Sequence, residues 1–192
     1  MYTEFEATFT NINKIDIRMR LKESQADLVR TEFLQKRVVF YLPKGHEIKG
    51  GWLRVRDEGD KITMSLKIVD GDKIENQKEI QLNIDSFENA VEFLKTIGCE
   101  KKAYQESKRE LWKLNNVEIT IDEWPFLLPF VEIEGKSEEE VKGVANKLKF
   151  DYSKAKFCAV DALYAEKYGI SEDRINNQTP EILFAGKNPF IY

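Results

Sequence analysis

Cysteine is scarce in this chain. Cys99 and Cys158 lie far apart and make no CxxC pair, so they read as two reduced thiols packed as small apolar side chains in a cytosolic protein. Histidine occurs once, at His46, inside Pro-Lys-Gly-His-Glu-Ile-Lys-Gly-Gly. It reads as a solvent-facing loop residue in preference to a lid or substrate contact. The few prolines and glycines fall at turns, as at Pro43 to Gly51, Gly59 and Gly71, so no linker and no low-complexity segment is expected. No GK[ST] follows Gly50-Gly51, which excludes a phosphate loop there. No apolar run approaches the roughly 20 residues of a membrane helix. The opening MYTEFEATF has neither a basic nor an apolar leader region, so no signal peptide is expected. Basic residues are not in excess: 30 Lys and Arg face 34 Asp and Glu, for a net charge of −4. Nothing in that balance points to nucleic acid or to a membrane surface.

What is present is strand pattern. Alternation or β-branched and aromatic runs predict eight strands: Tyr2–Phe9, Lys36–Leu42, Gly51–Asp57, Lys61–Val69, Ile74–Ile84, Tyr104–Leu114, Val117–Asp122 and Phe130–Gly135. Asn115-Asn116 suits a two-residue hairpin turn. Helices are fewer. Ser86 caps Phe87–Ile97, whose stripe of Phe87, Ala90, Val91, Leu94 and Ile97 ends at Gly98. Ser137 and Glu140 form a capping box before Val141, Val144, Ala145 and Leu148. A third helix is expected over Ser153–Tyr168, stopped by Gly169. Lys14–Leu28 fits either a strand or a helix. The fold class is therefore α+β: an eight-stranded antiparallel closed β-barrel with helices packed outside. One domain spans residues 1–170, and residues 171–192 form a tail packed on it, ending in the apolar Ile182–Phe184.

A strand period of two decides which side chains share a face. Glu4 and Glu6 share one, and Glu132 and Glu134 share another opposite Val131 and Ile133. Glu118, Thr120 and Asp122 lie opposite Val117, Ile119 and Ile121. Arg54 and Arg56 lie opposite Leu53 and Val55, and Lys67 opposite Leu66 and Ile68. Arg109 and Lys113 share a face as well. On any single strand such a polar face ordinarily points to water. With helices available to cover the apolar faces, the polar faces turn inward into a lumen too charged to be dry. Carboxylates of Glu4, Glu6, Asp122, Glu132 and Glu134 suit a hard cation such as Mg²⁺ or Mn²⁺. Arginines and lysines suit phosphate oxygens.

These residues also resemble the CYTH superfamily of triphosphate tunnel metalloenzymes, over roughly residues 2–165. The markers, in order, are Glu4-Phe5-Glu6, Trp52-Leu53-Arg54-Val55-Arg56, Ser65-Leu66-Lys67, Lys108-Arg109-Glu110-Leu111-Trp112, Ile121-Asp122-Glu123 and Phe130-Val131-Glu132-Ile133-Glu134-Gly135. The resemblance implies an eight-stranded tunnel, acids holding one or two divalent cations, and basic residues gripping a triphosphate. Two positions depart from the family pattern. Thr8 stands where ExExK has its lysine, and Ser107 where KxR has its lysine. Lys14, Lys36, Arg37 and Lys78 are the candidates to compensate.

The leading expectation is a Mg²⁺- or Mn²⁺-dependent phosphohydrolase of an inorganic, thiamine or nucleoside triphosphate. Glu4, Glu6, Asp122, Glu132 and Glu134 are the metal-side residues. Arg54, Arg56, Lys67, Lys78 and Arg109 are the phosphate-side residues, with Lys67 and Arg109 acting in catalysis. One alternative is a class IV-like adenylyl cyclase making cyclic AMP and pyrophosphate. Another is a polyphosphate-binding module weakened by Thr8 and Ser107. The partner expected is a triphosphate-containing small molecule, with no nucleic acid and no membrane. The oligomeric state is open, a homodimer included.

Overall fold

The computed structural model describes residues 1–191. Ten strands are hydrogen-bonded into one sheet: β1 (Tyr2–Thr3), β2 (Phe5–Phe9), β3 (Asp27–Phe40), β4 (Gly51–Asp57), β5 (Ile62–Val69), β6 (Gln77–Ile84), β7 (Lys101–Leu114), β8 (Val117–Glu123), β9 (Phe130–Gly135) and β10 (Glu181–Ile182). Five helices accompany them: α1 (Lys14–Glu23), α2 (Phe87–Thr96), α3 (Glu138–Lys147), α4 (Val160–Tyr168) and α5 (Glu172–Asn177).

The order around the sheet is β1-β6-β5-β4-β3-β7-β8-β9-β2, antiparallel throughout. The two ends of that order are one stretch of chain, interrupted at Glu4. Tyr2 and Thr3 pair with Glu79 and Lys78 of β6. The Glu4 N–H donates to the Gln77 carbonyl at 2.9 Å. Phe5 to Phe9 then pair with Gly135 to Val131 of β9. One strand thus spans the seam, and the eight expected strands make a nearly closed barrel that leaves little edge to cover. β10 pairs in parallel with Tyr104 and Gln105 of β7, beyond the point where β8 begins to pair at Lys108. The tail therefore fills a gap in the wall.

The outer faces carry the apolar side chains. Ile119, Ile121, Val131, Ile133, Phe9 and Ala7 pack with Ile17 and Leu21 of α1 and Val141, Val144 and Ala145 of α3. Each fully buried aliphatic side chain there contributes roughly 1.5–3 kcal/mol. Val38, Phe40 and Val55 pack under Ala90 and Leu94 of α2. A third cluster joins Trp124 and Phe130 to Leu163, Tyr164, Ile175, Ile182 and Phe190 from the last thirty residues. With the apolar sides claimed from outside, the polar sides face the lumen.

Four elements differ from expectation. Lys14–Glu23 is helical: Asn13 Oδ1 accepts from the Ile15 and Asp16 N–H groups at 2.8 and 3.3 Å, and of the four alternating apolar residues only Ile17 and Leu21, four apart, are buried. β3 starts nine residues earlier than expected. The third helix is broken into a 3₁₀ turn, Tyr152–Lys154, and α4. Between them Lys156 exchanges backbone hydrogen bonds with Thr8, at 2.9 and 3.0 Å, which holds the chain extended. Gly169 ends α4 in the left-handed region, φ 64°, as expected. The tail is more ordered than its sequence predicts, forming α5 on a Ser171 cap and then β10.

Candidate active site

The inward positions follow from register. β2 contributes Glu6, paired with Glu134 of β9, and Glu134 pairs with Glu118 of β8. Arg109 of β7 is opposite Asp122 of β8. Arg56 of β4 lies between Arg37 of β3 and Thr63 of β5, and Lys67 of β5 lies opposite Glu79 of β6. Glu4, Glu6, Arg37, Arg54, Arg56, Lys67, Glu79, Arg109, Glu132 and Glu134 all line one cavity of 890 Å³. That size falls within the range of small-molecule sites.

The two signs are interleaved, which is how a water-accessible lumen tolerates so many charges. Lys67 pairs with Glu4 at 2.9 Å, Arg54 with Glu79 at 3.0 Å and Arg56 with Glu58 at 2.7 Å. Arg109 forks onto Asp122 at 2.8 and 2.9 Å and reaches Glu132 at 2.6 Å. Glu6 and Glu134, by contrast, have no cation within 4 Å among the described residues.

Protonation follows those surroundings. Burial pushes Glu6 up to about 7 against the pull of Lys67, and Glu134 and Glu4 add to the rise. Burial lifts Glu4 to about 7 despite Lys67. Burial, Glu6 and Asp122 hold Glu132 well above the carboxylate range. Burial also raises Glu134, opposed by Lys67. Glu79 goes the other way: burial would raise it, but Lys67 and Arg54 hold it down to about 2. Burial and the neighbouring Arg54 disfavour the charge of Arg56. An anionic ligand would favour the charged arginines, and a cation would favour the ionised acids.

The expected site residues fall into three groups. Glu4, Glu6, Glu132, Glu134, Arg54, Arg56, Lys67 and Arg109 share the cavity. Asp122 is fully buried behind Arg109, where it also accepts from Thr120 Oγ1 at 2.6 Å. Lys78 is corrected: it lies exposed on the outer face, because Ile80 and Leu82 set the outward parity of β6 and Gln77, Glu79 and Gln81 take the inward one. Of the candidate compensating cations, Lys14 binds Glu32 and Glu123 away from the cavity, Lys36 is exposed, and Arg37 alone is inside. Glu58 and Glu79 were missed. Extending the Arg54, Arg56 alternation by one step reaches Glu58, and the apolar parity of Ile80, Leu82 and Ile84 signals Glu79. His46 is exposed in its loop. Trp112 packs in the core, whereas Trp52 and Trp124 line the cavity.

The donor set is all oxygen and suits a hard divalent cation. Glu6 and Glu134 fit that role, being adjacent, protonation-prone and unpaired. Asp122 and Glu132 are held by Arg109, and among the described residues no three acids converge on one point.

Comparison with known proteins agrees with this architecture. No curated protein matches the chain. A conserved hypothetical protein of Pyrococcus furiosus is 26% identical, with a TM-score of 0.67, over 81% of this chain and 96% of that one. A Vibrio parahaemolyticus protein assigned as an adenylate cyclase is 13% identical, with a TM-score of 0.73, over 85% and 98%. A Hippeastrum protein assigned as an adenylyl cyclase, and described as having a dominant triphosphatase activity, is 14% identical, with a TM-score of 0.58, over 89% and 97%. The last two share the fold. The CYTH domain family model matches residues 4–161, the stretch that builds the barrel from the seam at Glu4 to the start of α4. By that match, and by a charged lumen inside an apolar shell, the chain belongs to the CYTH domain family.

Proposed function

We propose that this protein is a Mg²⁺- or Mn²⁺-dependent phosphohydrolase of a triphosphate-containing small molecule. The observation that carries the reading is the convergence of Arg54, Arg56, Lys67 and Arg109 on a cavity that also holds the cation-free pair Glu6 and Glu134. The triphosphatase activity described for the Hippeastrum protein supports it.

In this reading Arg54 and Arg56 grip phosphate oxygens, exchanging part of their bonding to Glu79 and Glu58 for the ligand. Arg109, oriented by its fork on Asp122, stabilises the equatorial oxygens of the phosphoryl group in flight. Lys67 neutralises charge gathering on the departing diphosphate oxygen. Glu6 and Glu134 hold the divalent cation, with Glu4 beside them. Bound there, the cation supplies charge neutralisation at the phosphate oxygens. Glu4, with a pKa of about 7, accepts the proton of the attacking water. The water oxygen bonds to the terminal phosphorus as the bridging P–O bond breaks, giving orthophosphate and diphosphate when the substrate is tripolyphosphate.

The test is to incubate the protein with Mg²⁺ or Mn²⁺ and, separately, tripolyphosphate, thiamine triphosphate and ATP. Release of orthophosphate is expected, and Arg54→Gln is expected to lower kcat/KM by about 10- to 100-fold through loss of a charged hydrogen bond. Cyclic AMP with pyrophosphate from ATP would establish the cyclase reading instead. One observation favours that second reading: residues of α4 and α5, among them Asp161, Asp173 and Asn176, line the same cavity as the phosphate-side cations, whose 890 Å³ gives room for an organic group. Binding without turnover would leave a polyphosphate-binding module.

A further inference from the structure

Four arginines line the tunnel, and three of them hold a carboxylate: Arg54 holds Glu79, Arg56 holds Glu58, and Arg109 holds Asp122 and Glu132. Arg37 holds none within 4 Å among the described residues. It extends inward from the middle of β3, opposite Arg56 on one side and Gln105 on the other. It is 6% exposed, and its Nη2 donates to neutral acceptors, Gln35 Oε1 at 2.8 Å and the hydroxyl of Ser107. Its Nε is buried with no partner. Its guanidinium carbon lies 4.3 Å from the centre of the Trp124 ring.

A buried guanidinium without an anion is costly, and a cation–π contact offsets only part of that cost. Burial and the proximity of Arg54 and Arg56 both disfavour its charge. Three explanations are open to such a group: it is structural, it is neutralised by an acid, or it awaits an anion. The acid is missing. A structural role would be met as well by a neutral side chain bonded to Gln35 and Ser107. The remaining explanation fits its place, since Arg37 lines the same cavity as the other three arginines.

Resting on the triphosphate reading above, we infer that Arg37 is a further phosphate-binding residue of the tunnel, taking an oxygen of the anion in the place where Ser107 offers no charge. Trp124 and Gln35 hold its fork in position, so little side-chain freedom is lost when the ligand arrives. The contact is between Arg37 and Ser107 themselves, so a cation at either position can serve the same point in space.

Titration calorimetry with tripolyphosphate, run with and without Mg²⁺, tests this in wild type, Arg37→Gln, Arg54→Gln and the double variant Arg37→Gln/Ser107→Lys. Arg37→Gln is expected to bind about 10- to 100-fold more weakly, the cost of one charged hydrogen bond. The double variant is expected to regain most of that loss, which a purely structural role for Arg37 would not produce. If Arg37→Gln binds as wild type while Arg54→Gln is weakened, the inference is overturned and the triphosphate reading stands. If wild type binds no tripolyphosphate under any condition, both fall. Should Arg37→Gln fail to fold, Arg37→Lys keeps the charge and loses the fork. A loss of a few-fold then supports the inference, and unchanged affinity overturns it.

Discussion

A carboxyl group enclosed among other carboxyls keeps its proton. Glu6 does so up to about pH 7, well above the 4.5 of an unfolded glutamate. A raised folded-state pKa gives stability that is full below pH 4.5 and is lost as pH rises through about 7. Glu6→Gln, neutral at every pH, removes that loss. Without divalent cation its melting temperature is expected to exceed that of wild type at pH 8 by more than at pH 5. The same protons must leave before a cation can bind. Stabilisation of wild type by Mg²⁺ is therefore expected to grow between pH 5 and pH 8 and to shrink in Glu6→Gln. Thermal melts at several pH values, with and without Mg²⁺, check both. A pH-independent response to Mg²⁺ would remove Glu6 from the metal side. At this scale the sequence was legible wherever apolar neighbours fixed the parity, as at Arg54, Arg56 and Lys67. It misled at Lys78, where two charged residues stand side by side and only the more distant Ile80 and Leu82 settle which of them faces in.

Secondary elements place these side chains through their covered faces. α1 is the plainest case, because its Ile15, Ile17, Met19 and Leu21 alternate as a strand would, yet only the i, i+4 pair Ile17 and Leu21 is buried. Leu21→Ala is expected to cost about 2–5 kcal/mol of stability, and Met19→Ala, 52% exposed, under about 0.5 kcal/mol. Urea denaturation measures both, and equal costs would contradict the helical face. The ambiguity of Lys14–Leu28 was real: a short amphipathic pattern with two exposed apolar residues does not choose between periods, and the Asn13 cap with packing on β8 and β9 does. The break before α4 was not legible. Nothing in the residues around Lys156 disfavours a helix strongly, and the extended path there comes from a backbone pairing with Thr8, more than 140 positions earlier.

The whole molecule is an inverted sandwich of polarity, greasy outside the sheet and ionic within, and its last segment belongs to that shell. Ile175, Ile182 and Phe190 are each 3% exposed or less, packed with Trp124, Phe130 and Tyr164. Deleting residues 171–192 is expected to lower the melting temperature by several degrees and to create a surface that binds an apolar dye. An unchanged melt would show that the segment is only appended. The eight-stranded barrel, expected closed and found nearly so, was legible from composition and alternation together. The tail's strand and helix were not, because a two-residue parallel pairing leaves no periodic trace in sequence.

The divided first strand has a consequence for how the protein is made. Phe5–Phe9 and β9, the strand they must meet, lie more than 120 residues apart along the chain. Glu4 can join β6 before β9 is made, but Glu6 must wait for β9, so ring closure is a late, high-contact-order event and synthesis sets its earliest moment.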